Sequence, residues 1–201
     1  MRRVLINFAH PVLERSRVNR HMIEAVRDLD GVTINDLYEE YPDMAIDVTR
    51  EQQLLDTHDA VVFQHPFYWY SGPAIVKEWQ DLVLEHGWAY GAGGTHLRNK
   101  LTFNAISAGA PHSAYGPGGY NRFTIRHLLA PFEQTAHLCG MQYIAPFVVF
   151  GSLKLVTHAD MHTSADDYRA IITAVRDEMF DTTKAGRAEV LTTDFVRKEV
   201  A

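Results

Sequence analysis

The chain has 201 residues, 46% of them hydrophobic and 22% charged, which suffices for one domain with a single core and no disulfide bonds. Its formal net charge of −6 gives no general attraction to nucleic acid, so we expect no nucleic-acid partner. The lone cysteine indicates a reducing compartment, and no apolar segment is long enough to cross a bilayer. These features predict a cytoplasmic protein.

The first strand is predicted from Val4 to Ala9 and ends at His10-Pro11. Two arginines precede it as in a signal peptide, but the apolar run is too short for one. Ser16 is a candidate N-cap of a helix whose apolar residues have helical spacing: Val18, Met22, Ile23, Val26 and Leu29. The start of that helix, with Ser16 and Asn19, can bind a phosphate through backbone N–H groups. A serine at this position is more often only a cap.

The stretch VVFQHPFYWYSGP, from Val61 to Pro73, is the most informative part of the sequence. A buried strand from Ala60 to Gln64 is followed by a break at Pro66, a run of aromatic residues, and Pro73, which can open a helix. In an open α/β sheet, ligands bind beyond the carboxyl ends of the strands, where aromatic side chains can wall a flat ring. The alternative is that these aromatics only pack the turn.

The other elements follow from periodicity and turn residues. Strands are predicted at Val32 to Leu37, Leu101 to Ser107 and Met141 to Phe150, and helices at Thr49 to Thr57, Arg122 to Leu138 and Ser164 to Phe180, besides the helix after Pro73. The glycine-rich segment His86 to Lys100 neither follows a strand nor opens a helix, so it is not a dinucleotide-binding fingerprint. Beyond Asp181 the chain turns polar, and we expect it to lie loosely on the surface.

Strands that alternate with helices predict a parallel sheet covered on both faces. Unusual loops follow strands one, three and four, which indicates one ligand at a topological switch point. We therefore predict a flavodoxin-like three-layer sandwich with a five-stranded parallel sheet in the order 2-1-3-4-5. The predicted domain spans residues 1–180, and residues 181–201 form a polar C-terminal tail.

Several short motifs occur in order over roughly residues 3 to 180: His10-Pro11, Ser16 with Asn19, His65-Pro66 with Trp69-Tyr70, HGWAYG from His86 to Gly91, and Cys139-Gly140. HGWAYG followed by GGT, downstream of HP-x-x-WY, is specific. In these motifs the sequence resembles the NAD(P)H:quinone oxidoreductases of flavodoxin-like fold. It is most similar to the ancillary subunits of bacterial glutathione-regulated potassium-efflux systems.

The resemblance implies a flavin cofactor, FMN or alternatively FAD, and two-electron hydride transfer from NAD(P)H to a quinone. It assigns the flavin phosphate to His10, Ser16, Arg17, Val18 and Asn19. It places Phe67, Tyr68, Trp69 and Tyr70 along the isoalloxazine, and Ser107, Ala108, Gly109 and Ala110 at the polar edge of that ring. The resemblance further implies a homodimer in which Trp88 and Tyr90 reach the partner subunit's flavin.

The sequence departs from the family pattern in the loop after the fourth strand. Relatives often carry a tyrosine and a histidine there as a proton donor; Tyr115 matches the tyrosine, whereas Tyr120 or Asn121 falls at the histidine. Tyr115 and Tyr120 are thus the candidate catalytic residues. The relatives' Thr-Thr-Gly-Gly turn is Ser107-Ala108-Gly109-Ala110 here, with one of its two glycines retained.

Other functions remain open at this point. The protein can be mainly a regulatory subunit that docks on a membrane potassium-efflux transporter, which would place it at the inner face of the cell membrane. It can also be a single-electron carrier, although a covered site behind Trp88 and Tyr90 favours a second substrate. His158 and His162 have helical ligand spacing, but no HExxH motif or cysteine cluster accompanies them, and we expect no metal. Cys139 is expected to be a buried, inert thiol.

Overall fold

A parallel sheet forms the centre of the protein. The structure is a computed structural model that describes residues 1–154, 158–179 and 181–191, with side chains described throughout except at 158–160. Six strands lie in these ranges: β1 (Val4–Phe8), β2 (Val32–Asp36), β3 (Ala60–Pro66), β4 (Leu101–Ala108), β5 (Gln142–Tyr143) and β6 (Phe147–Phe150). Their order is β2-β1-β3-β4-β5, and β6 also pairs with β4. The predicted flavodoxin-like order is confirmed.

The helices are α1 (Val18–Val26), α2 (Leu37–Glu40), α3 (Val48–Asp56), α4 (Ala74–Val83), α5 (Ile125–Leu128), α6 (Ala130–Leu138), α7 (His158–Arg176) and α8 (Thr182–Arg187). One core layer joins α1 and α7 to Val4, Ile6 and Phe8, and the other joins α4 and α6 to Leu5. This alternation is expected because successive strand residues point to opposite faces. β1, β3 and β4 are buried along their whole length, as in a sheet covered on both sides.

Two predicted elements are each divided in the structure. The predicted strand from Met141 to Phe150 is β5 and β6, because Pro146 has no N–H and the Ala145 N–H donates to the Ala185 carbonyl (3.0 Å) instead of to β4. The predicted helix from Arg122 to Leu138 is α5 and α6, which meet at Leu129, where Pro131 opens the new helix.

Some predicted boundaries also differ. Asp47, rather than Thr49, caps α3, and its carboxylate accepts from the Arg50 N–H at 3.0 Å. β3 extends past Gln64 to Pro66, beyond the point at which its pairing with β1 ends, at Phe8 and Gln64. The last long helix begins at His158 rather than Ser164 and ends at Arg176; Phe180, its predicted end, lies outside the described residues.

The segment after residue 180 packs on the sheet as far as it is described. Asp181 caps α8, Ala185 and Leu191 are buried, and the Leu191 N–H donates to the Pro146 carbonyl at 2.8 Å. The expectation that this segment lies loosely is therefore wrong for residues 181–191, because these contacts cover the gap between β5 and β6. Residues 192–201 lie outside the described part, and the division of the chain at residue 180 stays a prediction.

A buried carboxylate, Glu51, ties several elements together on the α3 side of the sheet. It is fully buried and accepts hydrogen bonds from the Trp79 indole (2.7 Å), the Asn35 amide (2.8 Å), the Tyr41 hydroxyl (2.7 Å) and Arg50 (2.5 Å). Burial is the main reason that the pKa of Tyr41 rises to about 12, so its hydroxyl stays a donor. Since these partners come from β2, α4 and the chain around α3, Glu51 links all three.

Candidate functional site

A cleft of about 560 Å³ opens at the carboxyl ends of β1, β3 and β4, beside the start of α1. Its volume lies within the range of roughly 300–1,000 Å³ usual for cofactor and ligand sites. Its lining comprises His10, Val12, Arg15, Ser16, Arg17, Val18, Asn19, Pro66, Phe67, Tyr68, Ser107, Gly109, Ser152 and Leu153. The structure thus brings together nine of the thirteen residues predicted to contact a cofactor, and the other four are described below.

The start of α1 forms one end of the cleft and suits an anion. The Ser16 hydroxyl accepts from the Asn19 N–H at 3.2 Å, whereas the N–H groups of Arg17 and Val18 have no acceptor among the described residues. The positive end of the helix dipole lies at these N–H groups. Arg15 and Arg17 also line the cleft, so positive charge and free donors both favour a phosphate.

Asn19 joins this helix start to the end of β4. It is buried, and its amide nitrogen donates to the Ser107 hydroxyl at 2.8 Å, while the Gln64 side chain donates to the Asn19 carbonyl at 3.2 Å. The Asn19 Oδ1 and the Gln64 Oε1 are buried and have no donor within the described part of the chain. Buried acceptors are rarely left unpaired, so these oxygens mark places for a donor supplied by water or a ligand.

His10 lies at the wall of the cleft as a neutral side chain. It is buried, and burial lowers its pKa, so the ring is uncharged at neutral pH. Its Nδ1 accepts from the Val12 N–H at 3.2 Å, which leaves the proton on Nε2. His10 therefore contributes a hydrogen-bond donor rather than a positive charge.

The aromatic turn, Pro66 to Tyr70, forms the opposite wall. Among the hydrogen bonds that hold its backbone are those from the Phe67 N–H to the Ser107 carbonyl (2.9 Å) and from the Tyr68 N–H to the Pro66 carbonyl (3.0 Å). Trp69 and Tyr70 have φ angles of 49° and 63°, which are strained for residues with a side chain. Phe67 and Tyr68 line the cleft, whereas Trp69 is 93% exposed and Tyr70 bonds outward to Asn121 (3.3 Å).

The end of β4 and the segment after β6 close the cleft. A Cβ on Gly109 would lie 2.9 Å from the end of the Leu153 side chain, which is exposed and free to move aside. Ala108 and Ala110 do not line the cleft; their carbonyls accept from the N–H groups of Ser152 (3.0 Å) and Gly151 (2.9 Å). The sequence prediction missed Val12, Arg15, Pro66, Ser152 and Leu153 as lining residues. Ser152 and Leu153 could have been predicted as lining residues because they directly follow the last strand.

The two candidate catalytic tyrosines differ in their surroundings, and neither lines the cleft itself. Tyr115 is half-buried against the aromatic turn, with its ring 6.2 Å from that of Phe67 and 5.8 Å from that of Phe150. Burial raises its pKa, so its hydroxyl stays protonated and can donate. Tyr120 is 74% exposed.

Trp88 and Tyr90 also lie outside the lining of this cleft, in a compact loop joined to α3. The Trp88 ring stacks on His96 at 4.8 Å, and His96 bonds to Asp56 at 2.8 Å. A Cβ on Gly94 would lie 2.3 Å from the Tyr90 carbonyl oxygen, so the loop requires glycine there. The loop therefore has a defined conformation without contacting the cleft of its own chain.

Metal ligands and reactive thiols are not assembled in the described residues. No group of three or more His, Cys, Asp or Glu side chains in those ranges can hold a metal ion, and the His158 side chain lies outside them. His162 packs edge-on against His21. Cys139 is buried and burial raises its pKa, which keeps the thiol protonated. Nor does any described helix have the length and apolar character needed to span a membrane.

His65, directly before the aromatic turn, should make folding stability depend on pH. The ring is fully buried, and burial lowers its pKa to about 4. The unfolded chain therefore binds a proton more readily, and stability falls as pH decreases through the range from about 6.5 to 4. Between pH 7 and pH 5 we expect a loss of about 2 kcal/mol from this group.

Urea unfolding at pH 7 and pH 5 measures this effect, with His65→Phe as the control. That variant should lose about 2 kcal/mol less than the native chain between the two pH values. His10 and His58, whose pKa values burial also lowers, remain in the variant and contribute in the same direction. Equal losses in the two proteins would contradict the assignment to His65.

Residues 2–172 match the protein family Flavodoxin_2, described as having a flavodoxin-like fold. The chain is 46% identical over 164 residues to the uncharacterised NAD(P)H oxidoreductase YrkL of Bacillus subtilis (strain 168), covering 82% of this chain and 94% of that one. The chain belongs to the flavodoxin-like NAD(P)H oxidoreductase family. This flavodoxin-like oxidoreductase is also 47% identical over 148 residues to the glutathione-regulated potassium-efflux system ancillary protein KefG of Serratia proteamaculans (strain 568), covering 74% and 81% of the two chains.

Solved structures of relatives share the fold of this flavodoxin-like oxidoreductase. General stress protein 14 of Treponema denticola, solved in complex with FMN, is 39% identical with a TM-score of 0.82, over 86% of this chain and 99% of that one. An NADPH-quinone reductase from P. pentosaceus is 31% identical with a TM-score of 0.75, over 84% and 96% of the two chains. The resemblance inferred from the sequence motifs is thus confirmed.

Proposed function

We propose that this flavodoxin-like oxidoreductase is a flavin-dependent NAD(P)H:quinone oxidoreductase that binds FMN in the cleft. One observation carries the proposal: a helix start with free N–H groups and two arginines faces an aromatic turn across one cleft. A flavin mononucleotide has an anionic phosphate at one end and a flat ring at the other, and it requires these two environments together.

The phosphate end of the cleft fits the anion through several groups. The free N–H groups of Arg17 and Val18 can donate to phosphate oxygens, and the Arg17 side chain balances the charge. The buried Asn19 Oδ1 can accept from a ribityl hydroxyl. His10 and the Ser16 hydroxyl supply neutral donors beside them.

The ring end fits a flat, partly polar group. Phe67 and Tyr68 line the cleft, and the exposed Trp69 and Tyr70 extend the same aromatic turn. Ser107, near the end of β4, and Gly109, in the turn after it, line the cleft where a polar ring edge would lie, and Gly109 has no side chain to obstruct it. A bound flavin would supply hydride acceptance from NAD(P)H and hydride donation to a quinone.

The relatives favour FMN over FAD as the cofactor, and a quinone over other compounds as the electron acceptor. The solved general stress protein 14 is described as a complex with FMN, and the P. pentosaceus protein as an NADPH-quinone reductase. FAD remains the alternative cofactor. What the chain itself contributes to turnover is proximity and orientation of the bound groups, with donors that balance the charge on them.

Tyr115→Phe should slow quinone reduction roughly tenfold to a hundredfold without loss of flavin, because a hydrogen bond to a developing charge is worth about 1.5–3 kcal/mol. Tyr115 lies against Phe67, and its raised pKa keeps it a donor. Stopped-flow reoxidation by a quinone measures the step, with Tyr120→Phe as the matched comparison. If Tyr120→Phe causes the loss instead, Tyr120 is the donor; wild-type rates in both variants would exclude the two residues.

A homodimer is part of the proposal. The exposed aromatic side chains of Trp69, Tyr120 and Phe123 lie on the aromatic turn and on the loop that contacts it. A second copy that presents Trp88 and Tyr90 to them would cover this surface and exclude water from the site. Light scattering should give twice the chain mass, and a monomer mass at micromolar concentration would contradict it.

A second candidate function is that of an ancillary subunit of a potassium-efflux transporter. The 47% identity to the Serratia KefG protein favours it. This role would place a cytoplasmic protein at the inner face of the cell membrane, and it is compatible with redox activity. A pull-down with the cytoplasmic domain of a potassium-efflux transporter tests it, and failure to recover that domain would count against the role.

The principal test is an absorption spectrum of the protein reconstituted with FMN, recorded anaerobically before and after NADPH and then after a quinone. We expect flavin bands that bleach with NADPH and return with the quinone. A protein that binds neither FMN nor FAD would overturn the proposal. Return of the bands with single-electron acceptors but not with quinones would instead indicate an electron carrier.

A further inference from the structure

A buried chain of hydrogen bonds runs beneath the aromatic turn. The Tyr143 hydroxyl donates to Asn104 Oδ1 (2.8 Å), the Asn104 amide nitrogen lies 3.0 Å from His65 Nε2, and His65 Nδ1 lies 3.1 Å from the Pro66 carbonyl oxygen. A carbonyl only accepts, so the proton is on Nδ1 and Nε2 accepts from Asn104. The donor and the acceptor of each hydrogen bond in this chain are therefore fixed, and His65 is neutral.

The His65 ring is also enclosed on both sides. It stacks on Phe132 with ring centroids 5.6 Å apart and planes 21° from parallel. A Cβ on Gly72 would lie 3.2 Å from the imidazole, which is a tight contact, so the chain after the aromatic turn passes close to the ring. Rotation of the ring would therefore break its hydrogen bonds or displace the segment that leads into α4.

The Pro66 carbonyl is the point at which this chain meets the aromatic turn. It accepts from His65 Nδ1 and also from the Tyr68 N–H at 3.0 Å, the bond that folds the turn back on itself. The two residues that follow Tyr68 have positive φ angles, which need support from their surroundings. A carbonyl fixed by two donors provides that support.

We propose that His65 is a positioning residue for the flavin site: held by Asn104 and Tyr143, it fixes the Pro66 carbonyl so that the aromatic turn keeps Phe67 and Tyr68 in the cleft. The part that concerns flavin rests on the proposed function. The anchoring of the turn does not, and it can be measured without any cofactor.

Amide hydrogen exchange of the flavin-free protein tests the anchoring. In His65→Phe, which keeps an aromatic ring against Phe132, we expect the Tyr68 and Ser71 amides to exchange about tenfold faster relative to the amides of β1. Tyr143→Phe removes one hydroxyl and should give a smaller increase in exchange rate at the same amides. This variant tests the anchoring if His65→Phe does not fold. Ile172→Val, on the opposite face of the sheet, is the control and should leave that ratio unchanged.

The cofactor arm uses FMN titration and the reduction potential of the bound flavin. We expect His65→Phe to weaken FMN affinity about tenfold and to shift that potential, which loss of stability alone would not do. Unchanged exchange ratios in both variants would overturn the anchoring. Faster exchange with wild-type affinity and potential would overturn positioning for the cofactor. If the wild-type protein binds no flavin, the proposed function fails, while the exchange ratios still decide the anchoring.

Discussion

Ser16→Glu should lower the affinity for FMN by at least about a hundredfold, equivalent to roughly 2.7 kcal/mol. Ser16 lies at the start of α1, where its hydroxyl accepts from the Asn19 N–H and free N–H groups follow it. A glutamate there would place a negative charge beside the phosphate and would compete for the same N–H donors. Like charges about 4 Å apart at a protein surface repel by several kcal/mol.

The measurement is titration of the flavin-free protein with FMN, followed by quenching of flavin fluorescence. Gln53→Glu, an exposed residue on α3, adds the same charge outside the cleft and should leave the affinity unchanged. Ser16→Ala removes the hydroxyl, which is the acceptor for the Asn19 N–H and a neutral donor to the cofactor, and should cost about tenfold or less. Full FMN affinity in Ser16→Glu, with a normal unfolding transition, would show that the phosphate is not at the start of α1.

Glu51→Ala should destabilise the fold by about 3–5 kcal/mol, which is a large part of the stability of a single domain. The carboxylate is fully buried and accepts from Trp79, Asn35, Tyr41 and Arg50. Removing it would leave the buried Trp79 indole and Tyr41 hydroxyl without an acceptor, and each unpaired donor costs about 1–3 kcal/mol. Asn35 keeps Asn7 as a partner, and Arg50 keeps Glu40. Part of that cost can be relieved by water entering the cavity left behind.

Urea unfolding at pH 7 followed by circular dichroism measures this loss. Gln53→Ala, on the same helix but exposed, is the matched control and should change stability by less than about 0.5 kcal/mol. Glu51→Gln keeps one acceptor oxygen and should fall between the two. A loss below about 1 kcal/mol in Glu51→Ala would mean that the network contributes little to folding.

Much of the fold was predictable because its signals are local. β1, β3 and β4 are buried on both faces, so each appears in the sequence as a mostly apolar run. The alternation of strands with amphipathic helices predicts the parallel sheet. Unusual loops at three strand ends predict where the cleft lies, since those ends meet at one edge of the sheet.

Long-range contacts decided the features that the prediction missed. The break between β5 and β6 depends on α8, which follows about forty residues later and supplies the Ala185 carbonyl. Ser152 and Leu153 line the cleft because β6 ends beside β4. Nothing in the local sequence around Glu51 distinguishes a buried carboxylate from an exposed one on a polar helix.

The sequence by itself thus determined the types of the elements, their order in the sheet and the edge at which a ligand can bind, because hydrophobic periodicity and turn chemistry act over a few residues. Only the tertiary structure decided which polar groups are buried and how they pair. That pairing joins distant segments, as in Glu51 with Trp79 and His65 with Asn104. Such pairs form only when packing removes both groups from water, and no local pattern records which partner each will meet.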